Sequence, residues 1–344
     1  MRTDDFDYEL PTGLIAQRPA EPRDSCRLFV LDRRSGQTDH RVFTDLPDYI
    51  HDGDLLVVNE TKVLPARLVG LKDETGGEAE VLLLRERYTN AWECLVRPGR
   101  RLKPGAKIVF GDGMLTGLVV EHLDQSGGRL VQFTPHGTSF LGAVHRLGQM
   151  PLPPYLTEPL QNADQYQTVF AADERSAAAP TAGLHFTNQL LDRVRDAGAS
   201  VVTVELDVGL DTFRPVSEED PEEHRIHTEH FRVSESTAAA VNETRRAGGR
   251  VIAVGTTSVR ALESAYDEDA DGVVATEGPT SLFILPGFRF GVVDAMVTNF
   301  HVPRSTLVMM VSAFAGRETV MQAYEEAIER KYRFLSFGDA MLIL

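Results

Sequence analysis

Two short segments hold the residue types needed for chemistry on a small polar ligand. Ala179-Pro180-Thr181-Ala182-Gly183-Leu184-His185-Phe186-Thr187 and Val297-Thr298-Asn299-Phe300-His301-Val302-Pro303-Arg304-Ser305-Thr306 share one logic. Each reads as a connector from an extended run to a helix, with Thr or Ser, a Pro, and a His beside a Phe. In α/β proteins such connectors gather at the carboxyl ends of strands, where helix N-termini leave N–H groups free for a ligand. A third segment, Val251 to Arg260, runs an apolar β-branched stretch into Gly255 and the cluster Thr256-Thr257-Ser258, which opens an amphipathic helix. Its hydroxyls can cap that helix or hold the hydroxyls and phosphate of a nucleoside, and the pattern leaves both open.

These connectors need a scaffold, and 344 residues is enough for a sizeable core and about two domains. The N-terminus, Met1-Arg2-Thr3-Asp4-Asp5-Phe6-Asp7, lacks the basic-then-apolar order of a signal peptide. The apolar run Leu307 to Ala315 is far short of the roughly 20 residues a membrane span requires. A cytoplasmic protein without membrane contact is expected. Cys26 and Cys94 lie far apart, so neither a disulfide framework nor a cysteine metal site is indicated. A net charge of −16 argues against an extended nucleic-acid surface. The exception is local: Arg97, Arg100, Arg101, Lys103 and Lys107 fall in a stretch with no acid. That run is either a solvated face or a phosphate contact, with the acidic remainder limiting non-specific binding.

The texture divides the chain. Between residues 67 and 149, short β-prone runs (Ala79–Leu84, Trp92–Val96, Lys107–Phe110, Leu118–Val120, Leu130–Phe133) alternate with Gly, Pro and Asn turns, the pattern of a small β-barrel. Residues 1–66 and 150–344 instead alternate strand and helix patterns. Strands are expected at Leu28–Leu31, Leu55–Val58, Val201–Val204 and Val251–Val254, with helices near Asn188–Ala197, Thr237–Ala247, Val259–Ala265, Ser305–Ala315 and Thr319–Lys331. The predicted fold is an α/β sheet domain carrying an inserted small β-barrel.

Blocks spread along the chain then converge on one family. Leu14-Ile15-Ala16-Gln17, Asn59 to Leu68, Pro151-Leu152-Pro153-Pro154-Tyr155, Tyr166 to Ala171, Ala179 to Thr187, Val254 to Arg260, Asn299 to Thr306 and Tyr332 to Met341 resemble the S-adenosylmethionine:tRNA ribosyltransferase-isomerases. The resemblance runs over essentially the whole chain, in order. It implies an α/β domain with an inserted β-barrel, acting in queuosine biosynthesis. The ribosyl part of S-adenosylmethionine would move onto 7-aminomethyl-7-deazaguanine at the wobble position of a tRNA anticodon stem-loop, giving epoxyqueuosine, adenine and methionine. S-adenosylmethionine is then a substrate, and no metal or redox cofactor is implied.

That chemistry needs a base for the ribose 5′ protons, which the sulfonium acidifies, and donors for the departing adenine and the opened ribose oxygen. Acidic neighbours would favour the cationic sulfonium. His185, His301 and Asp207 are the catalytic candidates. Arg67, Thr181, Gly183, Phe186, His227, Glu229, Gly255, Thr256, Thr257, Arg260, Asn299, Ser305 and Thr306 are the substrate-binding candidates, and the basic run 97–107 is the tRNA candidate. Structural roles compete. His185 and His301 can be packed connector histidines, Thr181 and Thr306 helix caps, and Gly183 a residue required for positive φ. Arg67 can pair with a carboxylate, and Asp339 fits a turn better than a base. His224, His227 and Glu229 could be read as zinc ligands, but their acidic, Pro-containing lead-in is a loop and the family implies no metal.

One departure stands out. Where the family reads His-Val-Gly-Leu-Gly-Thr-Phe, this chain has Asp207-Val208-Gly209-Leu210-Asp211-Thr212-Phe213. A carboxylate replaces an imidazole at the end of the apolar run Val201 to Leu206, where it is expected to face the pocket. A relative that uses a small-molecule acceptor, or a non-catalytic tRNA-binding relative, are the alternatives this change raises. Cys26 for Ser and Glu60 for Asp look minor.

Overall fold

The computed structural model describes residues 1–123, 127–209, 214–226 and 228–344, so Asp211 and His227 lie outside the described residues. Two compact units emerge: Met1–Thr61 with Pro153–Asp173 and Ala179–Leu344, and Lys62–Leu152 with Glu174–Ala178.

The chain begins the larger unit with β1 (Arg27–Leu31), β2 (Thr38–Val42) and β3 (Leu55–Asn59). β3 is buried along its whole length, as its run Leu-Leu-Val-Val requires of an interior strand. The smaller unit follows with β4 (Lys62–Val63), then β5 (Arg67–Lys72), β6 (Glu78–Tyr88), β7 (Ala91–Arg97), β8 (Lys107–Phe110), β9 (Leu115–His122) and β10 (Gly128–Pro135). β5 to β10 close into an antiparallel barrel in the order β10-β7-β6-β5-β8-β9. Alternation fills its interior with Leu68, Val81, Phe110, Leu115, Val131 and Phe133, all essentially inaccessible. Gly70 is where two backbones meet, since a Cβ there would sit 2.6 Å from the Val109 carbonyl oxygen. Helix α1 (Phe140–Leu147), capped by Ser139, sets Phe140 against Phe133 and Trp92, with ring centroids 5.2 and 5.6 Å away. β11 (Glu174–Ser176) pairs with β4 in a separate two-stranded ribbon.

The larger unit resumes with α2 (Asn188–Asp196), β12 (Ser200–Leu206), β13 (Glu229–Val233), α3 (Glu235–Ala247), β14 (Val251–Val254) and α4 (Thr256–Ser264). A short ribbon of β15 (Tyr266–Asp267) and β16 (Gly272–Val273) leads to β17 (Thr276–Thr280), β18 (Ala295–Asn299), α5 (Thr306–Ala315), α6 (Arg317–Glu329) and β19 (Ala340–Ile343). The described residues form a nine-stranded mixed sheet in the order β17-β13-β12-β3-β14-β18-β19-β1-β2. Its centre, β12-β3-β14-β18, is parallel, so four strands present their carboxyl ends on the same side. One core packs Leu28, Leu56, Val58, Val254, Val297 and Leu342 of the sheet against Leu190, Leu191 and Val194 of α2.

The α/β sheet with an inserted barrel is therefore the observed architecture. One expectation about the connectors changes. Ala179–Thr187 does not leave a strand of the main sheet. It forms a 3-10 turn at Thr181–His185, and Thr187 then caps α2 by accepting the Leu190 N–H at 3.1 Å.

Candidate active site

Beyond the carboxyl ends of β14 and β18 lies a cleft lined by Thr181, Gly255, Thr256, Thr257, Asn299 and His301. Gly255 turns the chain from β14 into α4 with φ of +86°, a conformation that L side chains rarely adopt. No side chain caps α4, so its first N–H groups and their partial positive charge are left for the cleft at Thr256 and Thr257. The Thr257 hydroxyl is buried beside them without a hydrogen-bond partner among the described residues. The connector after β18 supplies Asn299, His301 and Ser305 to the same cleft, and the 3-10 turn supplies Thr181. Ser305, not Thr306, caps α5, accepting from the Val308 N–H.

The two histidines part company here. His301 borders the cleft. Its Nε2 meets the Thr298 hydroxyl at 2.8 Å, its backbone N–H donates to Tyr324, and its carbonyl accepts from the Tyr8 hydroxyl. Burial lowers its pKa to about 3, so the ring is neutral near pH 7. His185 does not line the cleft but lies behind it. Its Nε2 is 3.0 Å from Asn299 Nδ2 and its Nδ1 is 3.3 Å from Cys26 Sγ. Asn299 Nδ2 also donates to the Leu335 carbonyl, while its Oδ1 accepts from the Thr181 hydroxyl. An amide nitrogen can only donate, so His185 Nε2 must accept and Nδ1 carries the proton toward the sulfur. Burial, helped by Arg333 and Arg23, lowers the His185 pKa to about 3. Protonating Nε2 would set two donors against each other. His185 thus orients the Asn299 carboxamide from behind the cleft.

A second chamber adjoins the first, sharing Thr256, Thr257 and Leu307 with it. Arg260 and Glu229 form an ion pair here, with side chains 5% and 2% exposed. Arg260 Nε donates to the Leu282 carbonyl at 3.1 Å, and Glu229 Oε1 accepts from the Gly209 N–H at 2.8 Å. Arg260 Nη2 is buried with no partner among the described residues. Thr306 lines this chamber as the first residue of α5. The acidic neighbours expected for the sulfonium are not among the described residues lining the first cleft, and Glu229 is engaged by Arg260.

Other candidates fall elsewhere. Asp207 follows β12 directly, at the carboxyl end as expected, but Val208 is the residue against the cleft. The Asp207 N–H donates to the His230 carbonyl. Phe186 is fully buried in the core, edge-on to Phe43. Gly183 is buried too, and its φ is not positive. Its requirement is space, because a Cβ would stand 2.7 Å from the Phe170 ring. Asp339 accepts from the backbone N–H groups of Arg27 and Arg333 and pairs with the Arg333 guanidinium, which fixes a turn. His224 pairs with Glu218 at 2.8 Å. In the barrel unit, Arg67 stands 3.8 Å from Glu80. Arg97, Arg100, Arg101, Lys103 and Lys107 are all exposed, and none forms an ion pair among the described residues.

Three residues of the site were not singled out from sequence. Tyr155 and Ser336 line the cleft and share a 2.7 Å hydrogen bond, and Leu335 adopts φ of +69° there while its carbonyl holds Asn299. A bulky residue at positive φ is an outlier whose cost the surroundings must offset. Beneath the basic run lies Arg129, buried, whose guanidinium donates to the carbonyls of Gly99, Leu102 and Gly128 and so braces that loop. A charged residue in a β-prone run was its only signal.

Comparison with known proteins gives a consistent result. Residues 3–343 match the model of a family described as queuosine biosynthesis protein. A protein of Symbiobacterium thermophilum named S-adenosylmethionine:tRNA ribosyltransferase-isomerase is 56% identical over the whole of both chains, and one of Moorella thermoacetica with the same name is 53% identical, again over the whole of both. The crystal structure of an S-adenosylmethionine tRNA ribosyltransferase from Thermotoga maritima is 38% identical, with a TM-score of 0.56 over 99% of this chain and 100% of that one.

Proposed function

The chain belongs to the queuosine biosynthesis protein family, and on that premise we propose that it transfers and isomerises the ribosyl moiety of S-adenosylmethionine onto tRNA. The acceptor is 7-aminomethyl-7-deazaguanine at the wobble position, and the products are epoxyqueuosine-tRNA, adenine and methionine. No further cofactor takes part, and the reaction runs in the cytoplasm, where its tRNA is.

The observation that supports this most is the neutral, donor-rich cleft at the carboxyl ends of β14 and β18. His301 is the base candidate because it borders the cleft as a neutral ring, whereas His185 is engaged through both nitrogens. Burial makes His301 a poor holder of a proton, so removal of a 5′ proton is coupled to bond changes in the substrate rather than stored on the ring. Asn299, Thr181 and the open N-terminus of α4 are suited to the ribose oxygens as their charge shifts. The exposed basic run on the barrel unit suits the phosphates of the stem-loop.

The test is incubation of the protein with S-adenosylmethionine and tRNA bearing 7-aminomethyl-7-deazaguanine. Adenine and methionine should appear in equal amounts, with the modified nucleoside gaining the ribosyl-derived mass, in chelator as well as without it. Adenine release that ignores the tRNA would point to a small-molecule acceptor, and no release at all would overturn the assignment.

A further inference from the structure

The connector between β18 and α5, residues 300–305, brings His301 and Ser305 to the cleft and belongs to neither element. Its main-chain groups find their partners in distant parts of the chain. The Tyr8 hydroxyl donates to the His301 carbonyl, and the His301 N–H donates to the Tyr324 hydroxyl at 3.2 Å. The Arg304 N–H donates to the Phe6 carbonyl at 3.0 Å, and the Arg304 carbonyl accepts from the Val216 N–H at 2.8 Å. Arg304 itself has φ of +58°, a left-handed conformation that is costly for a long side chain and persists where the surroundings enforce it. Two of these partners, Phe6 and Tyr8, come from one segment at the other end of the sequence.

We propose that the segment Thr3–Tyr8 is a strap that positions His301 for catalysis, with Tyr8 as the positioning residue acting through the His301 peptide group. The inference rests on the reading of His301 as the base and adds what holds that base in place. The strap is anchored at both ends and between them. The Thr3 N–H donates to the Glu219 carbonyl at 2.9 Å, and the Thr3 hydroxyl donates to the Glu218 carbonyl at 2.6 Å. Phe6 is fully buried, and the Tyr8 ring packs edge-on to Tyr324 with ring centroids 5.2 Å apart. The two tyrosines that hold the His301 peptide, one at its N–H and one at its carbonyl, therefore also hold each other. With that peptide fixed and its Nε2 2.8 Å from the Thr298 hydroxyl, the His301 ring has little freedom to turn. A general base needs that restriction, because it must meet the reacting proton at a set distance and angle. Packing alone would need only the Tyr8 ring, and its hydroxyl adds the bond to the connector.

Tyr8→Phe in the full chain keeps the ring and deletes that bond. A base displaced by about 1 Å can lose about 100-fold in rate, so kcat for adenine release should fall about tenfold or more. KM for S-adenosylmethionine and for tRNA should stay within about twofold, since the strap does not touch either. Adding Tyr8→Phe to His301→Asn should lower kcat no further, because the strap then has no base to position. Hydrogen exchange read by mass spectrometry needs no turnover, and it should be faster over residues 299–305 in Tyr8→Phe than in the parent. A parent-like kcat in Tyr8→Phe, even with a lowered Tm, would overturn the positioning role. So would a loss of equal size in the His301→Asn background. Full turnover by His301→Asn alone would instead count against the base reading. The exchange measurement then decides the strap by itself, and unchanged exchange over residues 299–305 would overturn it.

Discussion

Replacing Arg260 by Ala should unfold this protein more than it should disable it. From the sequence alone Arg260 reads as a ligand contact whose removal would leave the fold intact. The structure makes it half of a buried ion pair, with the Glu229 side chain 2% exposed. Without the guanidinium, a carboxylate stays buried beside α4, and the Leu282 carbonyl loses its donor. Breaking a buried pair from one side costs about 3–5 kcal/mol, because the remaining charge is desolvated and uncompensated. In a unit of roughly 250 residues each kcal/mol lowers Tm by about 2–4 °C, so a drop of about 6–20 °C is expected. Removing both charges separates this effect from lost packing. Arg260→Met with Glu229→Gln keeps an acceptor for the Gly209 N–H and should recover most of the loss. Scanning calorimetry on the three variants decides the matter. A fall in Tm of less than about 3 °C for Arg260→Ala, or a double variant no better than the single, would refute the reasoning.

Acid should destabilise the fold through the two buried imidazoles. His185 and His301 have pKa values lowered to about 3, against about 6.5 unfolded, so the unfolded chain binds protons first as pH falls. Their contribution is intact above about pH 6.5 and is lost toward pH 3, at up to about 1.4 kcal/mol per pH unit for each ring. Urea midpoints that stay flat from pH 7.5 to 5 would contradict this, and His301→Asn should lessen the slope. Burial pushes both thiols, Cys26 and Cys94, up in pKa, so neither should react with iodoacetamide at pH 8 until the protein is denatured. Labelling of the native chain, read by mass spectrometry, would be the contrary result. Arg100→Ala with Arg101→Ala should weaken tRNA binding and reduce its salt slope by about one unit per lost phosphate contact. S-adenosylmethionine affinity should be unaltered, and an unchanged salt slope would leave the basic run a solvated face.

What could be read in the sequence was whatever depends on local period. The barrel strands alternate and are punctuated by turn residues, and the main strands are short β-branched runs before Gly or Ser. What could not be read depends on pairing between distant segments. Met341 to Ile343 looks the same whether β19 runs parallel to a neighbour or against it, and it does both, parallel to β1 and antiparallel to β18. Glu229 opens a strand of alternating burial, and from the sequence it is a candidate to contact substrate. It becomes interior only because α4 brings Arg260 to meet it from 31 positions later. The Ala179–Thr187 connector misleads in the opposite sense. Its residue types match those after β18, yet Pro180 leads into a 3-10 turn rather than out of a main-sheet strand.

That difference explains why two histidines in similar settings do different things. His301 follows a strand of the parallel core, so it emerges at the carboxyl ends beside the cleft. His185 closes the 3-10 turn and points back to Cys26 and Asn299. Both rings are neutral, and the Arg260–Glu229 pair cancels its own charge. Among the described residues, the two chambers therefore hold no net side-chain charge, and the fixed field there comes from the positive N-terminal ends of α4 and α5. Both ends disfavour a cation and favour the lone pairs of an acceptor, so the oxygens of a ligand's sugar are better placed against them than its sulfonium.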